Sequence, residues 1–206
     1  MRAVLFSWEY PPRMVGKLAE YVSTLATRLV KYDVETHVVT YHDNITGVVE
    51  EPNGTKVTRV SNPVRTHINL LTWILTLNQE VERGAANIYY LFQKHIDVID
   101  VYDWHFIPAA VTLKKSLGIP FIYSVDSLED HRSHGSNLPF NMAIRGIEWL
   151  GFYESSAATA KTDYMKSEIV KMYKVPKEKI SVITQNDDAL KKLLKIYRTA
   201  SRGVKP

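Results

Sequence analysis

The chain has 206 residues, of which 45% are hydrophobic and 23% charged, a composition typical of a globular protein with a buried core. Its 26 basic and 22 acidic residues leave a net charge of +4 that is spread along the sequence, so nothing argues for a nucleic-acid partner. The absence of cysteine excludes disulfides, thiolate catalysis and cysteine-ligated zinc, and the seven histidines lack the close spacing of helical zinc sites. We expect neither a metal ion nor a cofactor.

The amino terminus carries one basic residue, Arg2, before a short apolar run that is too brief for a signal peptide. No apolar stretch approaches the roughly 20 residues that a helix needs to span a bilayer. The sequence therefore predicts a cytoplasmic protein without a membrane partner.

Short apolar runs rich in β-branched residues alternate with helical patterns along the chain, which favours a parallel α/β sheet. This alternation predicts one doubly wound, Rossmann-like domain with a mostly parallel sheet and right-handed crossovers. We expect residues 3–6, 97–101 and 121–125 to be adjacent central strands. The other predicted strands are 37–40, 56–60, 157–161 and 179–183, and the predicted helices lie within 18–29, 69–95, 102–118, 147–155, 163–173 and 189–200.

Ligands of an open parallel sheet bind beyond the carboxyl ends of its strands, where the strand order reverses. The segments at that edge are 7–17, 41–47, 102–106 and 126–139, and each is polar, aromatic or both. Because they all follow strand ends, we predict that the following residues converge on one face: Gly16, Lys17, Asp103, His105 and Asp126.

Four segments together resemble the retaining glycosyltransferases of the GT-B fold, in particular the glycogen synthase group. The segment 7–20 (SWEYPPRMVGKLAE) is similar to a family loop with an acidic residue, prolines and a Gly-Gly pair. The segment 97–105 (DVIDVYDWH) resembles a strand that runs into a His-Asp-Trp-His loop, and 119–128 (IPFIYSVDSL) resembles a strand ending in Val-His. Residues 153–183 are similar to the end of the family's amino-terminal domain.

The resemblance implies one half of a GT-B fold, with residues 1–183 as the acceptor-side domain and 184–206 as a carboxyl-terminal helix and tail. In the complete family enzyme, a second domain holds the nucleotide-sugar, and a Gly-Gly loop brings backbone N–H groups to its phosphates. A histidine of the amino-terminal side lies near the reacting sugar, which points to His105 as the ancestral catalytic position. The glucan acceptor runs along the same face, and no metal is implied.

This sequence departs from the family pattern at functional positions. Lys17 replaces the second glycine of the pair, and Asp126 stands where the family has histidine. The resemblance implies a carboxyl-terminal donor domain as the partner of this half, and we expect that domain to be missing after about residue 186. We therefore expect no glycosyl transfer and only weak nucleotide binding by the chain alone, with Lys17 and Asp126 exposed on an open cleft face.

Several candidate residues have alternative interpretations. Gly16 suits a turn as well as a phosphate loop, and Glu9 suits an acceptor contact as well as an ion pair with Arg13. Asp103 and Asp126 could form a general acid/base pair, although solvated loop carboxylates or helix caps are favoured. The substrate-binding candidates are Glu9, Gly16, Lys17, Asp103 and Asp126.

Two functions compete at this point. The first is the acceptor-side half of a glycogen- or starch-synthase-like enzyme that transfers glucose from a nucleotide-sugar to a glucan. The second is a non-catalytic binding or interaction module that inherited the fold, because a shared fold does not carry function with it. A helical stripe near the end (Leu190, Leu193, Leu194 and Tyr197) resembles the helix that closes back onto this half in GT-B enzymes.

Overall fold

The predicted alternation of strands and helices is present in the computed structural model, which describes residues 1–93, 95–184 and 187–203. These residues form eight strands: β1 (Arg2–Ser7), β2 (Glu35–Tyr41), β3 (Gly47–Glu50), β4 (Lys56–Val60), β5 (Val98–Tyr102), β6 (Phe121–Val125), β7 (Ala157–Ala160) and β8 (Ile180–Val182). They also form seven α-helices: α1 (Lys17–Lys31), α2 (Leu70–Leu91), α3 (Ile107–Leu117), α4 (Glu129–Arg132), α5 (Pro139–Glu154), α6 (Asp163–Tyr173) and α7 (Asp187–Gly203).

All eight strands join one sheet in the order β3-β4-β2-β1-β5-β6-β7-β8. The pairings are parallel except that of β3 with β4. β1, β5 and β6 are neighbours at the centre, as predicted, and the chain is a single α/β domain. Chain order reverses between β1 and β5, which places the topological switch point there.

Two helical layers cover the sheet, and the central strands are mostly apolar because both of their faces are buried. On one face, α1 and α7 pack in a core with Leu5 of β1 and Val98 of β5. On the other, α2, α3, α5 and α6 enclose Phe6 and Val101. Among the described helices, none combines the length and apolar character required of a transmembrane segment.

Three elements differ from the sequence prediction. β3 was not predicted because its four residues are all exposed at the sheet edge and leave no burial pattern. α5 begins at Pro139 rather than near residue 147, and proline suits the first helical turn because its missing N–H has no partner there. α4 is a short helix inside a segment that was predicted to be a loop.

Helix α7 packs on the sheet as its apolar stripe predicts. Leu190, Leu193 and Tyr197 are buried in the core that α7 shares with α1. The Tyr197 hydroxyl donates a hydrogen bond to the buried carboxylate of Asp100 in β5, which Tyr102 and Ser124 also donate to. The last helix is thereby connected to the central strands by both apolar and polar contacts.

Two glycines of α5 provide a matched test of the packing. A Cβ at Gly151 would lie 2.8 Å from Ile107 Cδ1 and 3.0 Å from Tyr123 Cδ1, whereas a Cβ at Gly146 would have no neighbour within 4 Å. We expect Gly151→Ala to lower the free energy of unfolding by about 1–3 kcal/mol through overpacking. Gly146→Ala should raise it by about 0.5–1 kcal/mol, since alanine favours the helix. Urea denaturation of both variants checks this, and equal effects would contradict it.

Candidate functional site

The candidate residues follow strands whose ends lie side by side. Ser7 at the end of β1 is in register with Tyr102 of β5, and Tyr102 is in register with Ser124 of β6. The loops after these three strands therefore leave the same edge of the sheet. The six candidate site residues, Glu9, Gly16, Lys17, Asp103, His105 and Asp126, follow these three strands.

Four stacked rings cross this edge from β2 to β5. The Tyr41 and Trp8 rings stack with centroids 5.4 Å apart, Trp8 and His105 are 4.8 Å apart, and His105 and Trp104 are 4.4 Å apart. Trp73 of α2 meets Trp8 and Tyr41 edge-on at 5.2 and 4.7 Å. The imidazole of His105 is thus held between two indoles, and the Trp104 side chain is buried.

His105 is held in its neutral form. Its Nδ1 is enclosed and has no hydrogen-bond partner among the described residues. Burial, together with the charges of Arg132 and Arg13, lowers the pKa of His105 to about 3. A neutral imidazole can donate a hydrogen bond from one nitrogen and accept one at the other.

The low pKa makes an observable prediction. The imidazole signal of His105 in a two-dimensional NMR titration should not shift toward the protonated position between pH 8 and about 4.5, because the enclosed Nδ1 has no hydrogen-bond partner among the described residues for the second N–H of the cation. The signal is identified by its loss in a His105→Asn variant. Since the folded-state pKa is below the unfolded value, this group's contribution to stability falls as pH drops from 6.5 toward 3. A midpoint near pH 6 would contradict the prediction.

Asp103 is buried rather than solvated, which corrects the favoured sequence interpretation. Its Oδ1 accepts the backbone N–H groups of Asp126 at 2.8 Å and Ser127 at 3.0 Å, and its Oδ2 accepts the Ser127 hydroxyl at 3.1 Å. Its backbone has φ 59° and ψ −175°, a region that is essentially restricted to glycine. Burial and the nearby Asp126 charge raise the pKa of Asp103. The side chain clamps the loop after β6 onto the loop after β5.

Asp126 is half-buried and forms an ion pair with Lys161. The Lys161 ammonium also lies 4.6 Å from the ring centroid of Tyr21. The expectation that Lys17 and Asp126 would both be exposed is therefore correct for Lys17 and wrong for Asp126. Lys161 offsets the charge of Asp126, which reduces its repulsion of an anionic ligand.

Glu9 does not form the ion pair with Arg13 that the sequence suggested. Its carboxylate is buried and accepts the backbone N–H groups of Val15 at 2.5 Å and Gly16 at 2.6 Å. Arg13 instead pairs with Asp43 at 3.5 Å. Donors that a phosphate loop would offer to a ligand are thus already bound by a carboxylate of the same chain.

Gly16 and Lys17 lie at the start of α1. Gly16 precedes the helix without a side-chain cap, and a Cβ there would lie 3.3 Å from Glu9 Oε1. Lys17 is exposed and lines a groove of about 500 Å³ between α1 and α7, together with Tyr21 and Leu190. Lys17 is therefore at the predicted edge but in a different cavity from His105.

A second cavity, of about 270 Å³, lies beside His105 and is called the His105 pocket here. Its polar lining includes side chains that the sequence did not single out, notably Arg132 and Asn141. The guanidinium of Arg132 donates to Glu148 at 2.8 Å and to Glu129 at 3.1 Å, so it is anchored at the pocket wall. The lining comprises Leu70, Asp103, Trp104, His105, Ser127, Glu129, Arg132, Ser133, Phe140, Asn141 and Ile144.

The reason these residues were missed is their position. Arg132 lies in the segment 126–139 that the sequence indicated, but nothing distinguished it from other charges there. Phe140 and Asn141 follow the start of α5, which had been placed further along the chain. Among the described residues, no group of three or more histidines and carboxylates is arranged to hold a metal ion.

Comparison with known proteins decides the family. Residues 18–185 match the model of Glycosyltransferase Family 4, which is most of the chain. The chain belongs to Glycosyltransferase Family 4. This family domain is 33% identical over 185 residues to an uncharacterized glycosyltransferase of Methanocaldococcus jannaschii, covering 89% of this chain and 45% of that protein. It is 23% identical over 203 residues to a glycogen synthase of Mycobacterium tuberculosis, covering 92% of this chain and 49% of the synthase.

Solved structures show the same fold. A sucrose-phosphate synthase from Thermosynechococcus elongatus matches with a TM-score of 0.71 at 13% identity, covering 89% of this chain and 47% of that one. The catalytic domain of starch synthase IV from Arabidopsis thaliana, bound to ADP and acarbose, matches with a TM-score of 0.57 at 13% identity, covering 97% and 50%. The glycosyltransferase domain thus spans about half the length of the curated relatives it matches.

Proposed function

We propose that this glycosyltransferase domain is the acceptor-side half of a glycogen- or starch-synthase-like enzyme that transfers glucose from a nucleotide-sugar to a glucan. The observation that carries the proposal is the His105 pocket, which opens at the switch-point edge of the sheet. Membership of the family and the likeness to a glycogen synthase support glycosyl transfer as the reaction class.

The pocket has the chemistry to orient a sugar hydroxyl. The neutral imidazole of His105 can hydrogen-bond a hydroxyl without a charge that would bind the leaving phosphate instead. Asn141 adds a neutral amide, and the partly exposed ring of Phe140 adds an apolar surface for the face of a pyranose. Arg132 supplies a positive charge near the point where negative charge develops on the leaving group.

In the reaction, the acceptor hydroxyl oxygen forms a bond to the anomeric carbon, and the bond from that carbon to the nucleotide phosphate breaks. The phosphate oxygen of the departing nucleotide takes the bonding electrons and accepts the hydroxyl proton of the acceptor. This step requires donor and acceptor in one geometry, which a second, donor-binding domain facing this edge would provide. Because Glu9 already binds the Val15 and Gly16 N–H groups, we place most phosphate contacts on that second domain.

The test is a transfer assay with ADP-glucose and UDP-glucose, with and without an added carboxyl-terminal donor half. We expect no transfer by residues 1–206 alone and measurable transfer to a glucan when the donor half is supplied. His105→Ala should then lower the rate by about a hundredfold or more. His134→Ala is the matched control, because His134 is an exposed histidine of the loop after α4. Robust transfer by the chain alone, or an unaffected His105→Ala variant, would overturn the proposal.

A non-catalytic binding or interaction module is the second candidate. It is favoured by the carboxylate of Glu9 on the loop N–H groups and by the side chain of Lys17, where the resemblance implies glycine. The double variant Lys17→Gly, Asp126→His distinguishes the candidates once a donor half is supplied. Transfer only by the double variant supports the module, and equal transfer by the unmodified chain supports the enzyme.

A further inference from the structure

A separate cavity of about 310 Å³, called the aromatic cup here, lies at the carboxyl ends of β1 and β2. Its walls include the rings of Trp8, Tyr41 and Trp73. Trp73 is edge-on to both other rings, so the walls meet at a corner. None of the sequence-derived site residues lines this cavity.

Polar groups of both charges stand among the rings. The carboxylate of Asp43 is 61% exposed, pairs with Arg13 at 3.5 Å and accepts a hydrogen bond from Tyr41. That hydrogen bond is the main reason that the pKa of Asp43 is lowered, so the carboxylate stays ionised. The Nε2 atom of His67 is enclosed and has no hydrogen-bond partner among the described residues.

These charges select the ligand chemistry. The Asp43 carboxylate repels an anion, and the Arg13 guanidinium, which lies 4.6 Å from the Trp8 ring centroid and 4.8 Å from that of Tyr41, repels a cation. A neutral polyol is repelled by neither the Asp43 carboxylate nor the Arg13 guanidinium. Its hydroxyls can donate to Asp43 and pair with His67, while its C–H face covers an aromatic wall.

The aromatic cup adjoins the His105 pocket. Leu70, which is 46% exposed, lines both cavities. The ring stack also joins them, because Trp8 belongs to the cup wall and lies directly against His105 of the neighbouring pocket. A linear ligand bound beside His105 would therefore extend over Leu70 toward the cup.

We propose that the aromatic cup is a second acceptor subsite, which binds a neutral sugar unit of the glucan one or more units away from the unit beside His105. This inference rests on the proposed function, since it takes the His105 pocket as the place of the accepting unit. It assigns to Asp43 and the cup rings a role in preferring an oligosaccharide over a single sugar.

The experiment is an NMR titration of residues 1–206 with maltotriose, followed at the Trp73 indole N–H and the His105 imidazole. We expect both signals to shift over the same concentration range. Asp43→Ala should raise the Kd for maltotriose about tenfold, the loss of one hydrogen bond to a charged group. Because Asp43 is mostly exposed, the variant should fold, and its melting temperature verifies this. Glu50→Ala, which removes an exposed carboxylate of β3, is the matched control and should leave the Kd unchanged.

The outcomes separate the two proposals. Shifts at His105 alone, or an Asp43→Ala variant with unchanged Kd, overturn the second subsite and leave the proposed function standing. Shifts at Trp73 alone show a sugar site that is not continuous with the His105 pocket, which also overturns the inference. No shift at either signal at saturating maltotriose counts against both proposals.

Discussion

A chain that ends at residue 183 is expected to remain unfolded. Without α7, the sheet face around β1, β5 and β6 would expose the core that now packs against Leu190, Leu193, Leu194 and Tyr197. Burial of four such side chains contributes about 6–12 kcal/mol at 1.5–3 kcal/mol each. That is as large as the whole stability of a typical domain.

Circular dichroism and size-exclusion chromatography of the truncated chain check this expectation. Leu193→Ala perturbs the same core less than the truncation does and should lower the free energy of unfolding by about 2–5 kcal/mol. Lys195→Ala is the matched control, because Lys195 is exposed on the opposite side of the same helix and should change stability little. Cooperative unfolding of the truncated chain at a native-like temperature would show that α7 is dispensable.

The second large effect is expected at Asp103. Asp103→Ala should lower the free energy of unfolding by about 2–4 kcal/mol, because it leaves the N–H groups of Asp126 and Ser127 without their acceptor. Alanine keeps the backbone at φ 59° and ψ −175°, a conformation that costs about 1–3 kcal/mol in any non-glycine residue, aspartate included. The loop that forms one wall of the His105 pocket should loosen as a result.

Two further variants separate these contributions. Asp103→Asn keeps an oxygen acceptor for the two N–H groups and should retain most of the stability. Asp103→Gly removes the acceptor but relieves the backbone conformation, so it should be more stable than Asp103→Ala. Guanidinium denaturation measures the free energy of unfolding of the alanine, asparagine and glycine variants. An alanine variant as stable as the asparagine variant would show that the clamp contributes little.

The sequence alone was sufficient for the three central strands of the sheet. The runs at 3–6, 97–101 and 121–125 are mostly apolar because both faces of β1, β5 and β6 are covered, and such burial can be inferred from the residue types of the run itself. The apolar stripe of α7 can likewise be read from the sequence of that helix alone. The edge strand β3 escaped prediction because none of its residues is buried.

The candidate site, like the fold, could be predicted only in part. Polar loops after parallel strands meet at one edge of the sheet, and this topology predicted without coordinates that Gly16, Lys17, Asp103, His105 and Asp126 lie on one face. The hydrogen-bond partners of the candidate side chains could not be predicted from the topology. Glu9 binds its own loop, and Asp103 binds a loop that is more than 20 residues further along the chain.

The ring stack shows why only the tertiary structure could decide the chemistry. Trp8, Tyr41 and His105 are far apart in sequence, and each looks like an isolated aromatic residue at a strand end. Their stacking depends on the parallel order β2-β1-β5, on the rotamers that packing allows and on the packing of α2 beside them. Residue type and spacing determined which segments are buried and which edge is functional. Contacts between distant segments determined that His105 is neutral, that Asp103 connects two loops and where the two cavities open. These features could not be predicted, because contacts between distant segments produce no periodic pattern in the sequence.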